Sequence, residues 1–358
     1  MTLILSSTGA YPRIGDSSEL QLLRRTAALA ERGERTAADL ADAENEMTRK
    51  AMEEQVRAGV ELITDGQIRW YDPISHLAGK LAGVEINGLL RFFDTNFYFR
   101  QPVLIARPQR LQPMIVDEYR FAANALGQLP LASEKAGKLA VKPVLTGPYT
   151  LAKFSLVGAG GDGMSSLAAR AEAYAEALSE ELRALAEAGA TFLQLDEPAI
   201  LKYPGDWDIF AAALAKLVTA RERVVKSGGR LAIALYVYFR DPGPLYERLA
   251  ALPVDVLGLD FTYSPNLVDV VASAGSPIPL GLGLVDGRNT RLEDPSAVAR
   301  TMEKMLPKIA GEMAYLGPSC GLEYLPRDRA YAKLELLERI RAALAGQARL
   351  QRGRSHTG

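Results

Sequence analysis

The chain has 358 residues, 42 Lys and Arg against 43 Asp and Glu, 48% hydrophobic residues and a formal net charge of −1. This length suits one large α/β barrel or two ordinary domains, and the charge balance excludes the clustered basic excess of a nucleic-acid-binding protein. A single cysteine excludes an internal disulfide and the multi-cysteine zinc modules. The sequence carries no apolar run of the ~20 residues that a membrane span needs and no signal-peptide pattern, so we expect a cytoplasmic protein.

Eight short apolar segments alternate with helical segments along the chain. The apolar segments are Leu3–Ser7, Glu61–Thr64, Leu139–Leu145, Thr191–Leu195, Leu231–Tyr238, Val254–Leu259, Ile278–Leu284 and Met313–Leu316. The helical segments are Thr36–Ala58, Ser165–Glu187, Asp206–Lys226, Pro242–Leu252, Pro265–Ala274, Asp294–Ala310 and Arg327–Ala345. Continuous apolar strands are typical of a parallel sheet buried on both faces. Eight of them, mostly with a helix after each, predict an α/β fold of the (β/α)8 TIM-barrel type; a doubly wound sheet usually has fewer strands and a Gly-rich first turn.

The irregular part of the chain is Tyr71–Pro130, which is too long for a simple connection. Its aromatic run from Arg91 to Arg100 predicts an inserted hairpin after the second strand. These aromatics, with Trp70 and Tyr71, either stack on a flat ligand or pack the insertion. We therefore expect one barrel over residues 1–345 with an insertion at about 71–130. Residues 346–358 are basic and poor in apolar residues, which predicts a disordered tail.

Polar side chains collect where the predicted strands end, and active sites of such barrels lie at the carboxyl ends of the strands. The candidates are Ser7, Thr8, Gly9, Gln67, Trp70, Tyr149, Asp196, Glu197, Tyr236, Asp260, Asp286, Arg288 and Cys320. Asp196, Asp286 and Arg288 are the catalytic candidates among them. The only histidines are His76, expected on a helix surface, and His356 in the tail, so acid–base chemistry would fall to carboxylates or tyrosines.

Each candidate also has a purely structural interpretation. Asp196 and Glu197 can cap the helix that follows them, Asp286 and Arg288 can pair within their loop, and Cys320 can be a small buried hydrophobe. Glu197 and Asp286 also allow a glycoside hydrolase with paired carboxylates, although two tryptophans are few for a sugar site. The sequence Gly158–Gly163 fits a G-x-G-x-x-G pattern but lacks a clear preceding strand, so we expect neither a nicotinamide nor a flavin cofactor.

The strand-end motifs SSTGAYPR, DGQIRWYD, VLTGPYTL, QLDEPAI, GLGLVDGRNT and GPSCGLEYLPRD occur in the order seen in the cobalamin-independent methionine synthase family. The resemblance covers about residues 3–343, and the length resembles the single-barrel, core form of the family. It implies a (β/α)8 barrel that transfers a methyl group to homocysteine or a related amino-acid thiol in methionine biosynthesis. The implied donor is a methylated folate, a methylcobamide protein or another methylated compound.

The resemblance also implies roles for particular residues. Asp196 matches the carboxylate that holds the amino group of homocysteine, and the turn at 7–9 matches the backbone that holds its carboxylate. Gln67 stands in place of a substrate-binding Glu. Cys320 matches one zinc-binding cysteine, and Asp260 stands where a zinc-binding Glu is expected. Trp70, Tyr149, Glu197 and Tyr236 complete the predicted substrate site.

The sequence departs from the family where zinc binds. Ile233 and Leu235 replace a His-x-Cys pair, and Arg288 replaces a catalytic histidine, so zinc remains an open question. Several motifs resemble the zinc-free N-terminal barrel of the two-barrel enzymes. Two functions therefore stay open: a methyltransferase in which Arg288, Arg69 or Arg240 stabilises the thiolate, and a non-catalytic barrel that presents a substrate or methyl donor to a partner such as a second barrel protein.

Overall fold

A computed structural model of the chain describes residues 1–129, 138–264 and 266–355. The strands in this part are β1 (Thr2–Leu5), β2 (Leu62–Ile63), β3 (Ala82–Arg91), β4 (Tyr98–Gln109), β5 (Ala140–Val141), β6 (Val144–Thr146), β7 (Leu156–Val157), β8 (Phe192–Asp196), β9 (Ala232–Val237), β10 (Val256–Asp260), β11 (Leu280–Val285) and β12 (Met313–Pro318). The α-helices are α1 (Leu22–Glu31), α2 (Ala37–Arg57), α3 (Ser75–Ala78), α4 (Val116–Gln128), α5 (Pro148–Phe154), α6 (Leu167–Glu187), α7 (Ala199–Lys202), α8 (Trp207–Lys226), α9 (Tyr246–Ala250), α10 (Leu267–Ala274), α11 (Pro295–Met305) and α12 (Arg327–Ser355).

The eight predicted strand segments are arranged as a ring of parallel neighbours. One sheet runs in the order β1-β12-β11-β10-β9-β8-β6. On the other side of β1, Ser6 pairs with Leu62 at the start of β2, and β2 pairs in parallel with β5. Because only Lys142 and Pro143 separate β5 from β6, these two form the halves of the third barrel strand. The prediction of a (β/α)8 barrel is confirmed.

Pro143 explains why the third strand is split, although a single strand was predicted from Leu139 to Leu145. Proline has no backbone N–H and cannot donate to a neighbouring strand. The N–H of Lys142 instead donates to Ile63 on one side, while the carbonyl of Pro143 accepts from Gln194 on the other. The strand thus keeps a neighbour on each side of the ring.

Local signals set the ends of the long helices. Thr36 Oγ1 accepts from the N–H of Asp39, and the Asp39 carboxylate accepts from the N–H of Thr36, which forms a capping box for α2. Ser166 caps α6 through the N–H of Ala169, and Gly189 follows that helix with a φ of +101°. These ends lie within two residues of the predicted ones.

The core of the barrel consists of strand side chains, because the sheet is buried on both of its faces. Leu195, Ile233, Leu257 and Leu282 are completely buried, as a parallel sheet covered by helices requires. No helix in the described part of the chain combines the length and hydrophobicity of a membrane span.

The insertion contains the predicted hairpin, formed by the antiparallel pair β3 and β4. The short strand β7 adds to β4 in parallel and joins the hairpin to the end of α5, which the sequence did not predict. The fully buried carboxylate of Glu181 on α6 accepts from Arg110 Nε and from the N–H groups of Met114 and Ile115. The insertion is therefore tied to the barrel through α6. Residue 130, its predicted last residue, lies outside the described residues.

The final helix continues through Ser355, ten residues beyond the expected end of the ordered barrel at Ala345. The added segment is rich in Ala, Leu, Gln and Arg, which have high helix propensities. For residues 346–355 the structure thus differs from the predicted disordered tail. His356 and the last two residues lie outside the described residues.

Candidate active site

A cavity of about 850 Å³ opens at the carboxyl ends of the barrel strands. Its inner end is lined by residues that follow β1, β2, β8, β9 and β12, namely Thr8, Gly9, Gln67, Asp196, Tyr238 and Glu323. Its outer end is lined by α1 and the chain before it, including Arg13 and Arg24. Four predicted substrate residues (Thr8, Gly9, Gln67 and Trp70) and one predicted catalytic residue (Asp196) thus line one cavity.

Asp196 is the buried carboxylate at the inner end. Its Oδ1 accepts from Gln194 Nε2 at 2.8 Å, and its Oδ2 accepts from the Tyr238 hydroxyl at 3.1 Å. Burial raises the pKa of Asp196 to about 6, against these two hydrogen bonds and the charge of Lys142, which lower it. At neutral pH the group is a carboxylate whose charge is only partly compensated by the protein, which suits it to bind a cation.

The turn after β1 lies directly beside this carboxylate. Gly9 has a φ of +74°, and a Cβ there would stand 3.2 Å from Gln67 Oε1 and 3.9 Å from Asp196 Oδ2. Thr8 Oγ1 donates to the carbonyl of Pro318 at 2.8 Å, which ties the turn to the end of the neighbouring strand β12. A residue with a side chain would therefore fit poorly at position 9.

Ser7 supports the turn from below rather than lining the cavity. Its hydroxyl donates to Gln55 Oε1 at 2.6 Å, and the same oxygen accepts from the N–H of Thr64. The Thr64 hydroxyl in turn donates to the carbonyl of Gly9 at 2.7 Å. The ends of β1 and β2 are thus held together by buried hydrogen bonds.

Trp70 lines the cavity with its ring held from behind. Its Nε1 donates to Glu118 on α4 at 3.0 Å, and its ring stacks on His76 at 4.7 Å. His76 also pairs with Glu118, so it is mostly buried instead of lying on a helix surface as expected. The insertion therefore fixes the position of a wall residue.

The aromatic residues of the hairpin mainly pack the insertion against the barrel, and a few of them line the cavity. Phe92, Phe93 and Phe99 are buried and pack against Phe154 and Phe239, with several edge-to-face contacts. Most of the run thus joins the hairpin to the barrel. Three further aromatic residues that line the cavity along with Phe92 are Trp70, Tyr71 and Phe97.

Glu197 and Tyr149 lie together outside the cavity lining. The Glu197 carboxylate accepts from the N–H groups of Tyr149 and Thr150, at 2.9 and 2.8 Å, and from the Thr150 hydroxyl. It therefore caps α5, and burial raises its pKa to about 7 against these hydrogen bonds. The Tyr149 hydroxyl donates to Asp206 at 2.8 Å. Glu197 therefore has a structural role, but at α5 and not at the helix that follows it, Ala199–Lys202, which has no side-chain cap.

Tyr236 lies inside the barrel beneath the cavity. Its ring crosses Gly258 of β10, where a Cβ would overlap it, and its hydroxyl would stand 2.8 Å from a Cβ at Gly281 of β11. Lys142 Nζ lies 5.0 Å from the centre of the ring. Tyr236 therefore fills the barrel interior below the inner end of the cavity.

Asp286 and Arg288 are not brought into the cavity. Asp286 lines a second cavity of about 470 Å³ beside α11, and its Oδ1 accepts from the N–H of Arg288. The Arg288 guanidinium lies 3.6 Å from the centre of the Tyr263 ring and 3.7 Å from Asp260 Oδ2. Because Glu197 caps α5 elsewhere, the paired carboxylates of the glycosidase alternative do not share a site.

The other two arginines proposed to stabilise a thiolate also lie elsewhere. Arg69 donates to Thr48 and Asn45 on α2, and Arg240 pairs with Asp94 of the hairpin at 2.8 Å. Neither lines the cavity of about 850 Å³.

The residues that resemble zinc ligands do not form a zinc site. The thiol of Cys320 is completely buried and donates to the carbonyl of Gly321, and burial raises its pKa well above the usual range. Asp260 accepts from Thr262 and from the N–H of Phe239, and burial raises its pKa. Among the described residues, no three His, Cys, Asp or Glu side chains converge as a metal requires. The leucine and isoleucine at the His-x-Cys positions are core residues.

Four residues at the site were missed by the sequence analysis. Gln194 precedes Asp196 by two positions, and Tyr238 follows Tyr236 by two, so the alternation of side chains along a strand places each pair on one face. Glu323 and Arg327 line the cavity from the chain after β12. Burial raises the pKa of Glu323 to about 8, and its Oε2 has no hydrogen-bond partner among the described residues.

The comparison with known proteins agrees with this geometry. A sequence profile of the cobalamin-independent synthase catalytic domain matches residues 4–343. The chain belongs to the cobalamin-independent synthase family. A methionine synthase of Sulfurisphaera tokodaii is 29% identical to this chain, and the match covers 91% of this chain and 88% of that protein. A methionine synthase of Thermococcus kodakarensis is 28% identical, and the match covers 92% of this chain and 89% of that protein.

The fold is also that of solved members of the family. A B12-independent methionine synthase from a Shewanella species, solved in complex with selenomethionine, has a TM-score of 0.74 at 18% identity, with 98% of this chain and 99% of that chain covered. Membership of the cobalamin-independent synthase family confirms the interpretation as a methyltransferase of methionine-synthase type. The matched profile is that of the catalytic domain, and these similarities give no support to a non-catalytic barrel.

Proposed function

We propose that the protein transfers a methyl group to the sulfur of homocysteine and that the inner end of the cavity binds this amino acid. The proposal is carried by one observation: in a chain of this family, Asp196 and Gln67 both face the left-handed turn at Gly9, where an added Cβ would lie within 4 Å of each of them. A buried carboxylate beside a tight glycine turn that lines the cavity is suited to the two charged groups of an amino acid.

In this arrangement the ammonium group of homocysteine would pair with Asp196. The Gln194 and Tyr238 donors already orient both carboxylate oxygens, so little rearrangement is needed on binding. The substrate carboxylate would lie at the backbone of Thr8 and Gly9, where a missing side chain permits close approach. The sulfur would then extend toward the outer end of the cavity.

The methyl donor would enter from that outer end. A volume of about 850 Å³ is far larger than a four-carbon amino acid, so the cavity has room for part of a second molecule. Arg13, Arg24 and the aromatic wall at Trp70 and Tyr71 line this end. A methylated folate, a methylcobamide protein and a smaller methylated compound are the donor classes to test.

The test is methyl transfer to homocysteine with each donor class, comparing Asp196→Asn with Asp286→Asn. We expect Asp196→Asn to lose most activity through a raised KM, because the ammonium loses its counter-charge. Asp286→Asn should keep it, because Asp286 faces the second cavity. No transfer by the wild-type protein from any donor, or equal loss in both variants, contradicts the proposal. Zinc content of the active preparation is measured at the same time.

A further inference from the structure

Two lysines in the described part of the chain, Lys142 and Lys333, are completely buried. Lys333 forms an ion pair with Glu293 at 2.8 Å and also donates to the carbonyl of Arg291. Lys142 instead donates to a neutral hydroxyl, Ser6 Oγ, at 2.9 Å. An ammonium group buried without a direct anionic partner is costly, so its presence in the barrel floor calls for a function.

The surroundings of Lys142 lead to both halves of the proposed amino-acid site. Ser6 accepts from Lys142 and donates to the carbonyl of Ser7 at 3.0 Å, at the start of the turn that contains Gly9. On the next strand, Asp196 is the carboxylate whose charge stabilises the ammonium form of Lys142. One buried cation thus contacts the carboxylate-binding side of the site and acts electrostatically on the ammonium-binding side.

Other charged and titratable groups face this pair from several elements. Tyr236 lies against Lys142 from β9, and Asp65 and Glu118 share a small cavity with Lys142 on its other side. Burial raises the pKa of the Glu197 and Glu323 carboxyl groups, and the charge of Asp196 adds to this in both. Burial lowers the pKa of Lys142 to about 7, and Asp196 opposes this shift.

We propose that Lys142 is a positioning residue of the substrate site, which favours the ionised form of Asp196 and holds the turn at Gly9 through Ser6. This inference rests on the proposed function, because it assumes that Asp196 binds the ammonium group of homocysteine. Lys142 does not line the cavity of about 850 Å³, so it acts through these two neighbours and not on the substrate directly.

The experiment is calorimetric titration of the protein with homocysteine between pH 5.5 and 8.5, in wild type, Lys142→Met and Lys333→Met. Wild-type affinity should fall with decreasing pH around a midpoint near 6, where Asp196 becomes protonated. Without the Lys142 cation, the pKa of Asp196 rises further, and the midpoint moves up with it. Affinity at pH 6 should then fall below that of wild type by roughly twofold or more.

Lys333→Met is the matched control, since it removes an equally buried lysine remote from the cavity and should leave the midpoint unchanged. Ser6→Ala tests the second contact without removing the charge, and should weaken binding by a similar factor at every pH. If the midpoint does not shift in Lys142→Met, Lys142 does not favour the ionised form of Asp196. If affinity is unaltered in Ser6→Ala, Ser6 does not hold the turn at Gly9 for the substrate. The second test remains valid even where Lys142→Met folds poorly. If wild type itself binds no homocysteine, the proposed function fails first.

Discussion

Replacing Asp196 by Asn should stabilise the folded protein at alkaline pH while weakening substrate binding. Burial raises the pKa of this carboxyl from 3.8 to about 6, so the folded state disfavours the charged form. This preference lowers the free energy of unfolding by about 3 kcal/mol at pH 8, and by about half as much at pH 5. Because folding raises this pKa, the contribution of Asp196 to stability is fully present below pH 3.8 and is lost as the pH rises through about 6.

The Asn side chain removes this penalty, but the Tyr238 hydroxyl then accepts from the amide nitrogen instead of donating to a carboxylate, which replaces a charge-assisted hydrogen bond by a neutral one. That exchange costs about 1 kcal/mol, so the net gain expected at pH 8 is about 2 kcal/mol. Lys142 titrates in the same range, with a pKa of about 7. Measuring Asp196→Asn in both the wild-type and the Lys142→Met backgrounds separates the two groups.

The assay is equilibrium urea unfolding at pH 5 and pH 8, followed by the fluorescence of Trp70 and Trp207, which are both largely buried. The stability difference between Asp196→Asn and wild type should grow in favour of the variant as the pH rises. A variant less stable than wild type at pH 8, or a difference that does not change with pH, refutes the conclusion that burial disfavours the carboxylate.

Three further changes probe other parts of the structure. Gly9→Ala should weaken homocysteine binding at least tenfold in a calorimetric titration and lower stability by about 1 kcal/mol, because φ is +74° and the added Cβ meets Gln67; unaltered affinity would remove the turn from the site. Glu181→Ala should lower the free energy of unfolding by about 3 kcal/mol, because it leaves Arg110 and two buried N–H groups without an acceptor, whereas the exposed neighbour Glu180→Ala should have little effect. In thermal unfolding, the stability of Glu323→Gln relative to wild type should increase between pH 6 and pH 9. Burial raises the pKa of the wild-type carboxyl to about 8, so its ionisation destabilises the folded protein as the pH rises. A stability difference that does not change with pH would contradict this.

The barrel was predictable because its strands are buried on both faces and therefore stand out as short apolar runs. The split of the third strand at Pro143 was also readable in principle, since a proline cannot donate to a neighbour. The pairing of β7 with the hairpin could not be predicted from the sequence, because Leu156–Val157 is two residues long and owes its strand geometry to β4. Helix α4 was likewise missed within a segment treated only as an insertion.

The candidate site was predictable to the level of strand ends but not to the level of side-chain direction. Asp196 and Glu197 are adjacent, so they point in opposite directions, and only one of them can face the cavity. The local pattern does not say which, because both are acidic and both lie within two residues of Pro198; only the family resemblance favoured Asp196. Arg288 was misplaced for a different reason: its stacking on Tyr263 depends on how two loops meet, and no local pattern specifies that contact.

Tyr236 and the two glycines that it crosses have a consequence for how this enzyme can be varied. A Cβ at Gly258 would overlap the tyrosine ring, and one at Gly281 would crowd its hydroxyl. Neither glycine can therefore take a side chain while Tyr236 remains in place. In a library of variants, single replacements at either glycine should be lost on selection. A smaller residue at 236 should restore tolerance at Gly258, whereas Gly281 stays restricted because a Cβ there would also lie 3.0 Å from the Cα of Gly258.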